Sequence, residues 1–140
     1  MRILLVTHGL PPESVGGVEQ HVDGLSRALA AAGHHVEIFA RSSSGGAQGT
    51  TRTEQRDGLT ITHVTYRWEG LTALRDLYHN PSTEQALRAL LAERAFDVAH
   101  VHHLTGLSLG SIGVLRDAGV PVVLTLHDYW MMCPRGQMWH

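Results

Sequence analysis

The 140 residues, 43% hydrophobic and 17% charged, leave room for one globular domain with a core of its own. A formal net charge of −2 supplies no field that would gather nucleic acid or an anionic membrane. The single cysteine, Cys133, excludes an internal disulfide and suits a reducing compartment.

The first apolar run, Ile3 to Val6, is too short for a signal peptide or a membrane span, and it has the branching of a buried strand. A cytoplasmic location is therefore expected, with peripheral membrane contact left open. Thr7-His8-Gly9 follows, then a loop ending in Gly16-Gly17. Next comes a helix in which Val18, Val22, Leu25, Leu29 and Ala32 recur at helical spacing, with Gly33 as its C-terminal cap. Val36 to Ala40 is the next strand. Ser42 to Arg56 is polar, rich in Ser, Gly and Thr and without periodicity, which predicts a mobile loop. Leu59 to Tyr66 alternates behind the turn pair Asp57-Gly58, as an edge strand does. Trp68 to Tyr78 carries a short helical pattern. A helix follows Ser82, with Gln85 completing a capping box and Leu87, Leu90 and Leu91 as its stripe. Val98 to Val101 is a strand, and Leu104 to Ala118 a helix ending at Gly119. Along that helix Gly106, Gly110 and Gly113 predict close packing on the sheet. Val120 to Leu126 is the last run. It and the runs at Ile3, Val36 and Val98 read as strands buried on both faces.

Strands alternating with helices predict right-handed crossovers. The result is a doubly wound, mostly parallel α/β sheet with helices on both faces, and with Ile3 to Val6 beside Val98 to Val101. Such sheets bind ligands beyond the carboxyl ends of their strands, where strand order reverses. Gly16 and Gly17 stand there. They can turn backbone N–H groups toward a diphosphate or a sugar hydroxyl, although a plain strand-to-helix turn also needs glycine. Their spacing is not that of a dinucleotide fingerprint, which disfavours a nicotinamide or flavin site. Glu19, in the first turn, is accounted for by the helix dipole. Alternation sends His100 and His102 to one face, as hydrogen-bonded core residues, and His103 toward the loop, within reach of a ligand. No metal is expected, because about three or four ligands are needed and no ligand spacing is visible. His127 suits hydrogen bonding or proton transfer, or a structural bond to a backbone carbonyl. Asp128 could orient that histidine, cap the next segment or bind a hydroxyl. Arg135 could clamp an anion or be a solvated loop charge. Cys133 beside Pro134 reads as structural.

The opening MRILLVTHGLPPESVGGVEQHVDGLSRALAAAGHHVEIFAR resembles the start of family 4 glycosyltransferases, with a Pro-Pro-x-x-x-Gly-Gly-x-Glu loop and a helix ending in Gly-His-x-Val. FDVAHVHHLTGLS is similar to the family's second signature, and VVLTLHDYWMMCPRGQ to its third. The resemblance implies half of a GT-B fold, in which an N-terminal Rossmann-like domain binds the acceptor and a C-terminal one binds a nucleotide-sugar. It further implies retaining, metal-independent transfer, with the nucleotide-sugar as co-substrate and no cofactor. It puts Gly16 and Gly17 near the donor phosphates and the acceptor, and His127 beside the reacting sugar. His8, His103, Asp128 and Arg135 become candidate substrate-binding residues. Set against that family, residues 1–140 are expected to end inside an apolar loop at His140, short of the donor domain. Residues 1–140 are therefore expected to be a truncated acceptor-side domain, inactive alone. Tyr129, Trp130, Met131, Met132, Met138 and Trp139 are expected to drive self-association. A different class of protein also fits the glycine loop, namely a non-catalytic α/β module that binds a phosphorylated ligand. A histidine-based metal-binding protein is a third reading.

Overall fold

The computed structural model describes residues 1–69 and 72–133. In chain order the elements are β1 (Arg2–Thr7), α1 (Gly17–Ala31), β2 (His35–Ser42), β3 (Thr51–Arg56) and β4 (Leu59–Thr65). A 3₁₀ turn (Leu74–Leu77) leads on to α2 (Pro81–Glu93), β5 (Val98–Val101), α3 (Gly110–Asp117) and β6 (Val122–Leu124). The strands form one sheet in the order β3-β4-β2-β1-β5-β6. All neighbours pair in parallel except β3 with β4. Ile3 stands opposite Val98 on one side and Val36 on the other, so β1 lies beside β5 as expected.

Side-chain alternation along the strands builds two cores. Ile3 and Leu5 of β1, Val36 and Ile38 of β2 and Ile61 of β4 pack with Val22 of α1. Leu4, Val6 and Phe39 point the other way, against Leu87 and Leu90 of α2 and Leu115 of α3. A sheet covered on both faces in this way requires continuous apolar runs in its central strands, and β1 has one. Helix α1 ends as its sequence predicts. Gly33 takes φ +86°, its N–H donates to Ala30 O, and His34 N–H donates to Leu29 O, a Schellman cap.

Several expectations are corrected. The stretch from Ser42 to Arg56 is not all loop, because Thr51–Arg56 is strand β3, the antiparallel edge. Leu59–Thr65 is consequently an interior strand and not an edge. Asp57 (φ +51°) and Gly58 (φ +80°) join the two as a tight hairpin. The final strand is only Val122–Leu124 and stands at the other edge, with Val123 49% and Leu124 39% exposed, so it is not buried on both faces. The third helix begins at Gly110, not Leu104. Gly106 sits before it at φ +71°, where an added Cβ would lie 2.7 Å from Arg41 Cδ and 3.0 Å from the Tyr66 ring. Close packing accounts for that glycine, but nothing in the structure explains Gly113, whose added Cβ meets open space. Helix α2 starts at Pro81 behind Asn80, and Ser82 donates to Asn80 Oδ1 instead of forming a capping box. Among the described residues, the helical pattern at Trp68 to Tyr78 is realised as the turn Leu74–Leu77 alone.

Candidate active site

Strand order reverses between β1 and β5, and the residues beyond their carboxyl ends converge. His8 follows β1, His102 and His103 follow β5, and His127 and Asp128 lie just past β6. Gly16 is the N-cap of α1 and Gly17 its first residue, at the same edge. Of the residues expected here, His8, Gly16, Gly17, His103, His127 and Asp128 are thus brought together. Arg135 lies outside the described residues.

The loop between β1 and α1 is held from below. Glu19, 5% exposed, accepts a hydrogen bond from Ser14 Oγ at 2.5 Å, and His8 Nε2 lies 3.3 Å from the same oxygen. A Cβ on Gly16 would stand 2.7 Å from Glu19 Oε2, whereas one on Gly17 would meet nothing within 4 Å. Glu19 therefore does more than answer the helix dipole. Burial works to raise its pKa, but the bonds from Ser14 and its own backbone N–H, with His8 and Arg41 nearby, hold it below the ordinary carboxylate value. Farther along the loop, Glu13 accepts from Ser43 N (2.5 Å), Ser43 Oγ (2.7 Å) and Ser42 Oγ (2.7 Å). Burial opposes its ionisation, yet the bonds from Ser43, Ser42 and Ser44 bring its pKa down to about 2. Arg41 Nε donates to His8 O at 2.7 Å, and its guanidinium lies 5.0 Å from the Trp68 ring centroid. Sequence reasoning missed Glu13, Arg41 and the structural duty of Glu19. Glu19 closes the Pro-Pro-x-x-x-Gly-Gly-x-Glu motif and Arg41 stands near the end of β2, whereas Glu13 lies in mid-loop with no signal of its own.

The histidines lean on one another. The His8 and His103 ring centroids are 4.6 Å apart, and His8 is pushed well below its ordinary pKa by burial first and His103 second, against the pull of Glu19. With the ring neutral at neutral pH, its approach to Glu19 is an electrostatic contact and not an ion pair. His103 Nδ1 accepts from Thr105 N (3.3 Å), so Nε2 carries the proton that it donates to Asp128 Oδ2 at 3.3 Å. Asp128 Oδ1 accepts from Trp130 N at 2.8 Å. Asp128 therefore orients His103 and caps the next segment; it does not orient His127. His127 Nε2 lies 3.0 Å from Nδ1 of His102, which is buried at 2% exposure. The hydrogen-bonded core role expected of His102 is what the structure gives, but the partner of His127 is an imidazole and not a backbone carbonyl. Burial pushes the His102 pKa down to about 3, helped by His100, His127 and His21. His127 is lowered by burial, His21 and His103, with Asp128 opposing. A neutral imidazole both donates and accepts, which is the capacity needed to hold or move a hydroxyl proton. Beside His127 and Asp128 opens a depression of about 320 Å³, rimmed by Leu126, Tyr129, Met131 and Met132. An equally large hollow near Tyr66, Asp76 and His79 lies away from the paired histidines.

The sequence profile described as Glycosyltransferase Family 4 matches residues 15–139. A glycogen synthase of Mycobacterium tuberculosis is 31% identical over 136 residues, covering 96% of this chain and 29% of that protein. The catalytic domain of starch synthase IV from Arabidopsis thaliana, solved with ADP and acarbose, superposes with a TM-score of 0.60 at 18% identity, over 91% of this chain and 34% of that one. A C-terminal domain of a hydrogenase from Pyrococcus furiosus superposes almost as well, with a TM-score of 0.59 at 18% identity and coverage of 89% and 90%. The sheet alone therefore does not select sugar chemistry; the sequence match does. The chain belongs to glycosyltransferase family 4, and its fold is one half of the GT-B arrangement. It spans less than a third of the length of the curated relatives it matches. Among the described residues no helix is long and apolar enough to cross a membrane.

Proposed function

We propose that this chain is the acceptor-side domain of a glycosyltransferase that moves a sugar from a nucleotide-sugar to a hydroxyl acceptor, with retention and without a metal in the transfer step. The observation that carries this reading is the meeting of Gly16-Gly17, His8, His103, His127 and Asp128 at the one sheet edge where a family 4 chain would close its cleft. Gly17, with open space outward, and the positive end of α1 face the donor phosphates. The neutral His127 ring bonds a hydroxyl of the reacting sugar, while His8, His103 and Asp128 bind acceptor hydroxyls. Arg135, beyond Cys133, serves an anionic acceptor. A donor-binding domain supplies the opposite wall, so the 140 residues alone do not turn over, and the reaction takes place in the cytoplasm.

The test pairs this chain with a donor-binding domain and compares His127→Ala with the unmodified protein. Loss of a positioned hydrogen-bonding or proton-transfer group lowers turnover on the order of 10²-fold, while the thermal midpoint stays close to that of the parent. Unchanged turnover would reduce His127 to the partner of His102.

A further inference from the structure

Three imidazoles that share no local sequence pattern meet on the α1 face of the sheet. His21 comes from α1, His102 from the end of β5 and His127 from beyond β6. One ring nitrogen from each lies within 4.8 Å of the other two. His102 Nδ1 and His127 Nε2 are 3.0 Å apart, and the His21 ring centroid is 5.5 Å from that of His102 and 5.1 Å from that of His127. His102 is 2% exposed, yet its Nε2 has no hydrogen-bond partner among the described residues. An ion held at Nδ1, the nitrogen that faces His127, leaves the ring proton on Nε2. Behind His102 stands His100, with ring centroids 4.1 Å apart and its own Nε2 engaged by Thr125 Oγ1 at 2.7 Å, so the His102 ring is held in place from that side.

We propose that His21, His102 and His127 form a binding site for one divalent ion of borderline softness, of the Zn²⁺ class. A tetrahedral ion with bonds of about 2.0–2.1 Å sets its ligand nitrogens roughly 3.3 Å apart. The His102–His127 nitrogens stand a few tenths of an ångström short of that spacing, and the rings turn so that both lone pairs meet the ion to one side of the line that now joins them. His21 is exposed, so its side chain turns to close the third side without disturbing a core. Three neutral nitrogens and no carboxylate select Zn²⁺, Co²⁺, Ni²⁺ or Cu²⁺ over Mg²⁺ and Ca²⁺, which take oxygen ligands. The nearby carboxylate, Asp128, is already engaged by His103 and by Trp130 N. Three protein ligands leave the fourth position open to water or a hydroxyl. This site departs from the sequence-based expectation of no metal. It stands whether or not His127 touches a sugar, because it rests on ring positions alone.

The experiment titrates untagged, chelator-stripped protein with Zn²⁺, Co²⁺ and Mg²⁺, following heat and, for Co²⁺, visible absorption. One Zn²⁺ per chain and low-coordinate Co²⁺ bands are expected, with no response to Mg²⁺. Losing even an outer partner of a metal ligand typically costs about 10- to 100-fold in affinity, so His21→Ala is expected to weaken Zn²⁺ binding by about 100-fold and to abolish the Co²⁺ bands. His79→Ala, an exposed histidine elsewhere, leaves both intact. Circular dichroism of His21→Ala verifies that it remains folded. Absence of Zn²⁺ uptake by the parent, or uptake that His21→Ala leaves unchanged, overturns the proposal.

Discussion

Gly16 and Gly17 are adjacent, yet a methyl group added at each would meet different surroundings. At Gly16 it would stand 2.7 Å from Glu19 Oε2, a carboxylate already fixed by Ser14. At Gly17 it would project into open space, at the first position of a helix. Gly16→Ala therefore displaces Glu19 and forfeits a charge-assisted bond, lowering stability by about 1.5–3 kcal/mol in urea unfolding. Gly17→Ala is neutral or stabilising by a few tenths of a kcal/mol, because alanine is the better helix former. If Gly17 borders the donor phosphates, the same mild substitution lowers turnover in the paired enzyme while leaving the fold untouched. Equal destabilisation by the two variants would contradict this account of the loop.

At the level of elements, strand β4 carries a histidine that couples stability to pH. His63 is buried at 8% exposure, and neither ring nitrogen makes a hydrogen bond among the described residues; Nε2 lies 3.4 Å from Glu54 Oε1 in an electrostatic contact only. Burial first, then Arg52, lowers its pKa against the pull of Glu54. The unfolded chain therefore binds a proton near the ordinary value of 6.5 that the folded chain refuses, and stability falls as pH drops through that value toward the folded pKa. Between about pH 7.5 and about pH 5.5 the urea midpoint is expected to fall, and His63→Leu makes the fall shallower. An unchanged slope would place the acid sensitivity elsewhere. The same elements show what a sequence discloses. The parallel sheet, α1 with its cap and the edge bearing His8, His103 and His127 were legible, because each rests on a local pattern of apolar runs or on position after a strand. Strand β3 was not, since Thr51–Arg56 lies at an edge and has no apolar face to alternate; the Asp57-Gly58 pair read as a turn, and only the strand after it was recognised. The pairing of His102 with His127 and the approach of His21 were likewise hidden, because three separate elements bring those rings together.

For the whole molecule, a cleft wall differs from a cleft. An exposed helix N-terminus contributes about 0.3–1 kcal/mol per charge, and micromolar affinity needs about 8 kcal/mol. Titration calorimetry on the 140 residues is therefore expected to show no micromolar binding of any nucleotide-sugar, and a clean micromolar isotherm would mean that one wall suffices. Val123, Leu124, Leu126, Tyr129, Met131 and Met132 are all exposed along a single stretch, so light scattering is expected to report mass rising with concentration. Val123→Glu reduces that rise; scattering from an unchanging monomer would contradict it. The two borders of the sheet sharpen this. On the β3 side Arg52 and Glu54 pair at 2.6 Å, and exposed threonines flank them, a charged fringe that discourages another strand from joining. On the β6 side the fringe is three residues long and apolar. The sheet is thus polarised like a zip with a stop at one end, and any lengthening, wanted or not, proceeds from β6 outward.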